Sequence, residues 1–276
     1  MLGGRYLNIN NIRIYLHDSS WEKEYDTDIA LIFLHGSPGQ ISNWKYQIKY
    51  FKEYYRVVVY DQRGYGLSDK PMECRIEDYI NDLDAIIDVV GLPREKLFLI
   101  GHSFGGMVAQ EYASRREVAG LVLIGSIAKF RPDLIDKIVW RLPPIFWRKL
   151  LFTENILTRR MYRKIFFSDE TDEEIYLEFL RDNKDYIEGL PPHVFRYSKF
   201  YRDYDASNNA INIKAPTLII VGRDDRVTPI EQSETLNKLI PNSKLEIIDG
   251  AGHLILYEKP DEINRLIHNF ITEHTG

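Results

Sequence analysis

The sequence predicts an α/β fold: a mostly parallel central sheet flanked by helices, with a helical insertion. Three observations carry this. Short apolar runs of strand character alternate with longer runs whose apolar residues recur at helical spacing. Breaker-rich clusters follow directly after the apolar runs, at 35–39, 61–66, 101–106 and 222–229. Between residues 126 and 209 the strand signals stop while helical signals continue. Strands alternating with helices of this length make a sheet covered on both faces, and such sheets carry their ligands at the carboxyl ends of the strands. The clusters should therefore all lie along one edge.

The elements follow in order. Residues 6–9 and 12–16 are β-rich runs around Asn10-Asn11, a pair suited to a tight hairpin. Residues 30–34 form a short apolar strand that ends at His35-Gly36-Ser37-Pro38-Gly39. The stretch 43–55 reads as a helix, with Trp44, Ile48 and Phe51 on one face. The strand at 57–60 closes at Asp61-Gln62-Arg63-Gly64-Tyr65-Gly66. Residues 76–90 place Ile76, Ile80, Leu83, Ile87 and Val90 at helical spacing, and Gly91 and Pro93 stop that helix. Leu97 to Ile100 is a continuous apolar run of the kind a buried central strand shows. A helix follows from about Met107 to Ser114, then a strand at 121–124.

Helical pieces are then expected at 133–142, 144–152 and 154–167, and a fourth opens with Thr171-Asp172-Glu173-Glu174, the pattern of a capping box. This stretch is rich in aromatics: Trp140, Phe146, Trp147, Phe152, Tyr162, Phe166, Phe167, Phe195 and Tyr197. It reads as an insertion and not as an independent domain. Residues 1–125 and 210–276 form the core, and residues 126–209 the helical insertion. Alternation resumes with a strand at 217–221, a helix at 230–240, a strand at 245–248 and a final helix at 260–272.

Composition narrows the function classes. The chain has 276 residues, enough for one α/β domain with an insertion. A net charge of −5 argues against a general binder of nucleic acid or anionic membrane. No apolar run approaches the roughly 20 residues of a membrane helix. The opening residues Met1 to Tyr6 carry no apolar segment after Arg5, so no secretory leader is expected. The single cysteine, Cys74, excludes an internal disulfide. Together these features point to a cytoplasmic protein.

Chemistry concentrates after the apolar run at 97–100. Gly101-His102-Ser103-Phe104-Gly105 has the Gly-x-Ser-x-Gly form of a nucleophile elbow between strand and helix. A sharp turn there lifts the serine hydroxyl out of the sheet, and a side chain at Gly101 or Gly105 would collide with neighbouring backbone. The turn also sets Ser103 at a helix N-terminus, where developing negative charge is favoured. A serine hydroxyl needs a base, and the base needs an orienting acid. In chain order after such an elbow the acid comes first and the histidine second. Asp224 and Asp225 both follow the strand at 217–221. His253 ends Asp249-Gly250-Ala251-Gly252-His253, a loop able to swing an imidazole over the sheet edge. The other histidines fit less well. His102 sits on the tight turn beside the serine, His35 is expected to order its own loop, His268 and His274 fall in the terminal helix and its tail, and His17 and His193 have no supporting context.

These motifs resemble the α/β-hydrolase superfamily, in its capped branch of serine lipases, esterases and peptidases, over nearly the whole chain. The matching residues are His35-Gly36-Ser37-Pro38-Gly39, the run from Asp61 to Ser68, Gly101 to Gly106, Gly222-x-x-Asp225-x-x-x-Pro229 and Gly250-Ala251-Gly252-His253. The resemblance implies a catalytic triad of Ser103, Asp225 and His253, with Asp224 as an exposed neighbour of the acid. It implies an oxyanion hole from the backbone N–H groups of Ser37 and Phe104. It implies that 126–209 is a cap whose apolar residues roof the pocket. Epoxide hydrolases and haloalkane dehalogenases are similar at other motifs but have aspartate where Ser103 stands.

The expected function is a serine carboxylesterase acting on small or medium acyl esters, with no metal and no cofactor. Prolyl iminopeptidases are similar at Asp61-Gln62-Arg63-Gly64 and would need a cap carboxylate for a free amine. Glu154, Glu173, Glu174, Glu178 and Glu188 are candidates for it. C–C bond hydrolases are similar at Gly222-Arg223-Asp224-Asp225-Arg226, and a triad-bearing small-molecule receptor is a further alternative. The expected partner is a small ester or amide, not nucleic acid or membrane.

Overall fold

The computed structural model describes residues 3–130 and 156–275. Eight strands form one sheet: β1 (Arg5–Ile9), β2 (Ile12–Asp18), β3 (Ala30–Leu34), β4 (Arg56–Tyr60), β5 (Leu97–His102), β6 (Gly120–Ile124), β7 (Thr217–Gly222) and β8 (Ser243–Ile248). Their spatial order is β1-β2-β4-β3-β5-β6-β7-β8. The pairs β1–β2 and β2–β4 are antiparallel, and all the others are parallel. The β1–β2 hairpin turns on Asn10 and Asn11, both at positive φ (48° and 64°), the backbone that a two-residue turn matched to strand twist requires.

Strands β3, β5, β6 and β7 are buried along their whole length. They read as unbroken apolar runs because helices cover both faces. Successive residues still alternate between two cores. Leu97 and Leu99 join one face, with Tyr79, Leu83 and Ile87 of α2 (Ile76–Val90) and Met107, Val108 and Tyr112 of α3 (Phe104–Ala113). Phe98 and Ile100 join the other, with Ile48 and Phe51 of α1 (Lys45–Phe51) and a stripe from the terminal helix. Each such side chain contributes roughly 1.5–3 kcal/mol by leaving water.

The chain from β6 to β7 supplies α4 (Ile156–Phe166), α5 (Glu173–Gly189) and a run of 3₁₀ turns at Pro192–Asp203. After β7 come α6 (Ile230–Leu239), the short α7 (Ile255–Glu258) and α8 (Pro260–Glu273). Among the described residues the segment between β6 and β7 contains no strand, only an isolated bridge between Lys129 and Asp205. The helical pieces expected at 133–142 and 144–152, with Trp140, Phe146, Trp147, Phe152 and Glu154, lie outside the described residues. Among those described, no helix is long and apolar enough to cross a membrane.

Three local expectations differ from the structure. The helix expected over 43–55 is a 3₁₀ turn (Ile41–Trp44) followed by α1, because the chain must turn after Phe51 to enter β4. Helix α3 starts at Phe104, three residues before its apolar pattern, since the turn at Ser103 sets its first residue. The capping box at Thr171 does not form: Asp172 precedes α5 without a side-chain cap, and the Thr171 hydroxyl donates to the Glu258 carboxylate instead. A buried carboxylate needs donors more than a solvent-facing helix end does.

Candidate active site

Ser103 occupies a backbone conformation few non-glycine residues adopt, with φ 52° and ψ −117°. Its amide donates to the carbonyl of Ile124 on β6 at 2.8 Å. Its own carbonyl accepts from Gly106 and Met107 in the first turn of α3, at 3.0 and 3.2 Å. The crowding expected at the flanking glycines is present. A Cβ on Gly101 would stand 2.6 Å from the Gly105 carbonyl carbon, and one on Gly105 would overlap the carbonyl of Leu34.

Asp225 and His253 come from the ends of β7 and β8. Asp225 Oδ2 lies 2.8 Å from His253 Nδ1, and both side chains are buried. Three further donors converge on the carboxylate. The amides of Val227 and Thr228 donate to Oδ1 at 2.9 and 2.7 Å, and the Thr228 hydroxyl reaches Oδ2 at 2.8 Å. Burial pushes the Asp225 carboxyl up, but the facing imidazole and these hydrogen bonds outweigh it and hold the group below the usual carboxylate range. An anionic Asp225 keeps the imidazole proton on Nδ1 and turns Nε2 outward as an acceptor. Asp224 is half-buried, not exposed as expected. Its carboxylate accepts from the Ser168 hydroxyl at 2.5 Å, in a turn after α4.

Ser103 and His253 line one cavity of about 320 Å³. Among the described residues, the hydrogen bonds of Ser103 all run through its main chain, and none links its hydroxyl to the imidazole. Gly36, Ser37 and Pro38 form one wall beside the serine. The Ser37 hydroxyl is engaged with Tyr65 Oη at 2.7 Å. Phe104 follows Ser103 as the first residue of α3, so its amide belongs to the turn whose N–H groups lie outside the helix ladder. Tyr162, Ile165 and Phe166 of α4, Phe179 of α5, and Phe195 make an apolar opposite wall.

Asn43 and Tyr257, which also line the cavity, are engaged by residues of α5. Asn43 donates to Asn183 Oδ1 at 2.8 Å, and Tyr257 donates to Asp182 at 3.0 Å. His35 orders its loop, as expected: Nε2 accepts from the Gln62 amide at 3.0 Å, and Nδ1 donates to the Gly36 carbonyl at 2.7 Å. Burial lowers its pKa to about 4, so it stays neutral. Glu173 pairs with Arg163, Glu174 with Arg181, and Glu178 with Lys45 and Tyr46. None of these three, nor Glu188, lines the cavity, and among the described residues no other carboxylate does.

Two participants were not singled out from the sequence. Thr228 braces Asp225, and an Asp followed three residues later by Thr is a legible side-chain-to-backbone turn pattern. Glu258 accepts from the amides of Ser168 and Gly252 at 2.8 and 2.9 Å, tying the turn after α4 to the loop that carries His253. Burial pushes its carboxyl up. No local pattern marks it, because its partners Ser168 and Thr171 lie 90 and 87 residues away in the chain.

The profile of the alpha/beta hydrolase fold matches residues 29–260. The AB hydrolase superfamily protein YisY of Bacillus subtilis is 30% identical over 256 residues, covering 87% of this chain and 90% of that protein. Epoxide hydrolase 1 of Caenorhabditis elegans is 26% identical over 98% of this chain and 70% of its own length. Among solved structures, a thermophilic esterase from Thermogutta terrifontis superposes with a TM-score of 0.82 at 23% identity, over 99% of this chain and 100% of that one. The sheet order, the strained serine turn between β5 and α3 and these matches lead to one conclusion: the chain belongs to the alpha/beta hydrolase family.

Proposed function

We propose that this hydrolase is a serine carboxylesterase for small to medium acyl esters. The observation that carries the reading is the 2.8 Å Asp225–His253 hydrogen bond beside a cavity that Ser103 also lines. In this reading Ser103 Oγ attacks the ester carbonyl while His253 Nε2 takes its proton. The Ser103–His253 hydrogen bond closes in the substrate complex, as such contacts tighten when substrate binds. Asp225 stabilises the imidazolium that forms. The amides of Ser37 and Phe104 receive the developing oxyanion, each typically worth about 3 kcal/mol. His253 then protonates the leaving alcohol, and the same relay activates the water that hydrolyses the acyl-enzyme.

Residues 126–209 act as a cap on a core of 1–125 and 210–276. The aromatic wall from α4 and α5 keeps water from the acyl group and favours apolar acyl chains. An aminopeptidase reading lacks its amine-binding carboxylate among the described residues that line the cavity. The epoxide hydrolase relative does not transfer its reaction, since a serine stands at the elbow here.

Turnover of p-nitrophenyl butyrate against prolyl-naphthylamide, before and after Ser103→Ala, tests this. Multiple turnovers of the ester that fall by more than about 10³-fold in the variant are expected. Preference for the naphthylamide would replace the esterase reading with a peptidase. Binding without turnover would replace it with a receptor.

A further inference from the structure

Beside the proposed relay, the His102 side chain lies between the loop of His253 and the loop of Gly36. His102 ends β5 and immediately precedes Ser103. It is buried, and its Nε2 lies 2.9 Å from the carbonyl oxygen of His253. The two imidazoles are 4.9 Å apart, centroid to centroid, at 42°. On its other side the loop of Gly36 and Ser37 approaches so closely that a Cβ on Gly36 would stand 3.1 Å from His102 Nδ1 and 3.2 Å from Ser103 Cβ. A carbonyl can only accept, so the proton of His102 sits on Nε2 and donates to His253. Burial first, and the neighbouring His253 second, lower the His102 pKa to about 3, so this tautomer persists at every pH where an esterase works.

We infer that His102 is a positioning residue: its Nε2–H, donated to the His253 carbonyl, holds the base in register with the serine next in the chain. The inference rests on the serine-ester reading. The loop is held on either side of the base, where the Gly252 amide donates to Glu258 and the Leu254 amide to the Phe166 carbonyl, and at His253 itself the carbonyl accepts from His102. The ring of His102 supplies a rigid spacer between the two loops. A displacement of about 1 Å between reacting groups is enough to cost on the order of 10²-fold in rate.

The test compares His102→Leu, which removes the donor at similar volume, with His102→Gln, whose side-chain amide can still donate. Ser103→Ala must first abolish ester turnover; if it does not, the serine reading falls and takes this inference with it, whereas the outcomes for His102 bear on the inference alone. With p-nitrophenyl butyrate, His102→Leu is expected to lower kcat by about 10- to 100-fold with KM within about threefold, and to slow aryl phosphonate labelling of Ser103 in parallel. His102→Gln should recover kcat to within about threefold of the natural protein. The inference is overturned if folded His102→Leu keeps its kcat, if the Gln variant is as slow as the Leu variant, or if the loss falls on KM alone. Should His102→Leu give no cooperative melt, His102→Met replaces it. Failure of both apolar variants to fold also overturns the inference, because the residue would then serve folding and not alignment.

Discussion

Asp225→Asn is the sharpest probe of the proposed relay. Four donors converge on this carboxylate: two amides, the Thr228 hydroxyl and His253 Nδ1. An asparagine offers one oxygen and one NH₂ in the same space. If its oxygen faces Nδ1, the NH₂ confronts the amides of Val227 and Thr228 and strands two donors, at about 1–3 kcal/mol each. If its oxygen faces the amides, the NH₂ faces Nδ1. The second arrangement is the cheaper one, so the variant should fold. It forces the imidazole to carry its proton on Nε2, toward Ser103, where it can no longer accept. The tautomer is wrong and the anion is gone, a combination typically worth about 10⁴-fold in kcat, or about 5 kcal/mol of barrier. Release of p-nitrophenolate from the butyrate ester at saturating substrate, on protein shown by thermal melting to be folded, reads the effect. A folded variant whose kcat stays within about tenfold of the natural protein would refute the assignment of Asp225 as the orienting acid.

Two further outcomes concern the loop after β4, which faces the same sheet edge. Arg63 forks onto Asp82 at 2.6 and 2.7 Å with both side chains buried, so Asp82→Ala strands a buried cation and should cost about 3–5 kcal/mol in equilibrium urea unfolding; a loss under about 1 kcal/mol would show that the pair is not desolvated. Asp61 accepts from the amides of Ile41 and Leu67, yet burial pushes its carboxyl up to about 6. The folded chain therefore keeps a proton over a range where the unfolded chain, near 3.9, has released it. Its contribution is full below the unfolded value and is lost as pH rises through 6, about 3 kcal/mol at the limit and about 1 kcal/mol between pH 5 and 7.5. Urea unfolding of the natural protein and Asp61→Asn at those two pH values should differ by that amount, with the natural protein gaining at pH 5, and an equal difference at both would contradict it.

Much of the fold was legible in local pattern. Strands buried on both faces have little choice but an unbroken apolar run, so the positions of β3, β5, β6 and β7 could be read from their residues. The glycines after β5 were legible for a steric reason, because nothing larger fits between Gly105 and the Leu34 carbonyl. Helix boundaries were less so. The start of α3 is dictated by the turn at Ser103 and not by its own periodicity. The capping pattern at Thr171 was a sound local signal that lost to a buried carboxylate 87 residues away. Asp224 looked like a bystander on the surface until the turn carrying Ser168 was placed against it.

The order of residue types along this chain determined which groups are available: a serine on a forced turn, two adjacent aspartates after one strand, a histidine in a glycine loop after the next. Those are properties of short segments, set by sterics and by strand period, and they need no knowledge of what packs elsewhere. Tertiary structure alone decided that Asp224 is taken up by Ser168, that Glu258 ties the His253 loop to the turn after α4, and that His102 bonds the carbonyl of His253. Each of these is a contact between segments distant in the chain. Its geometry depends on how loops at one sheet edge settle against each other, and burial makes every such polar contact obligatory once it is closed off from water.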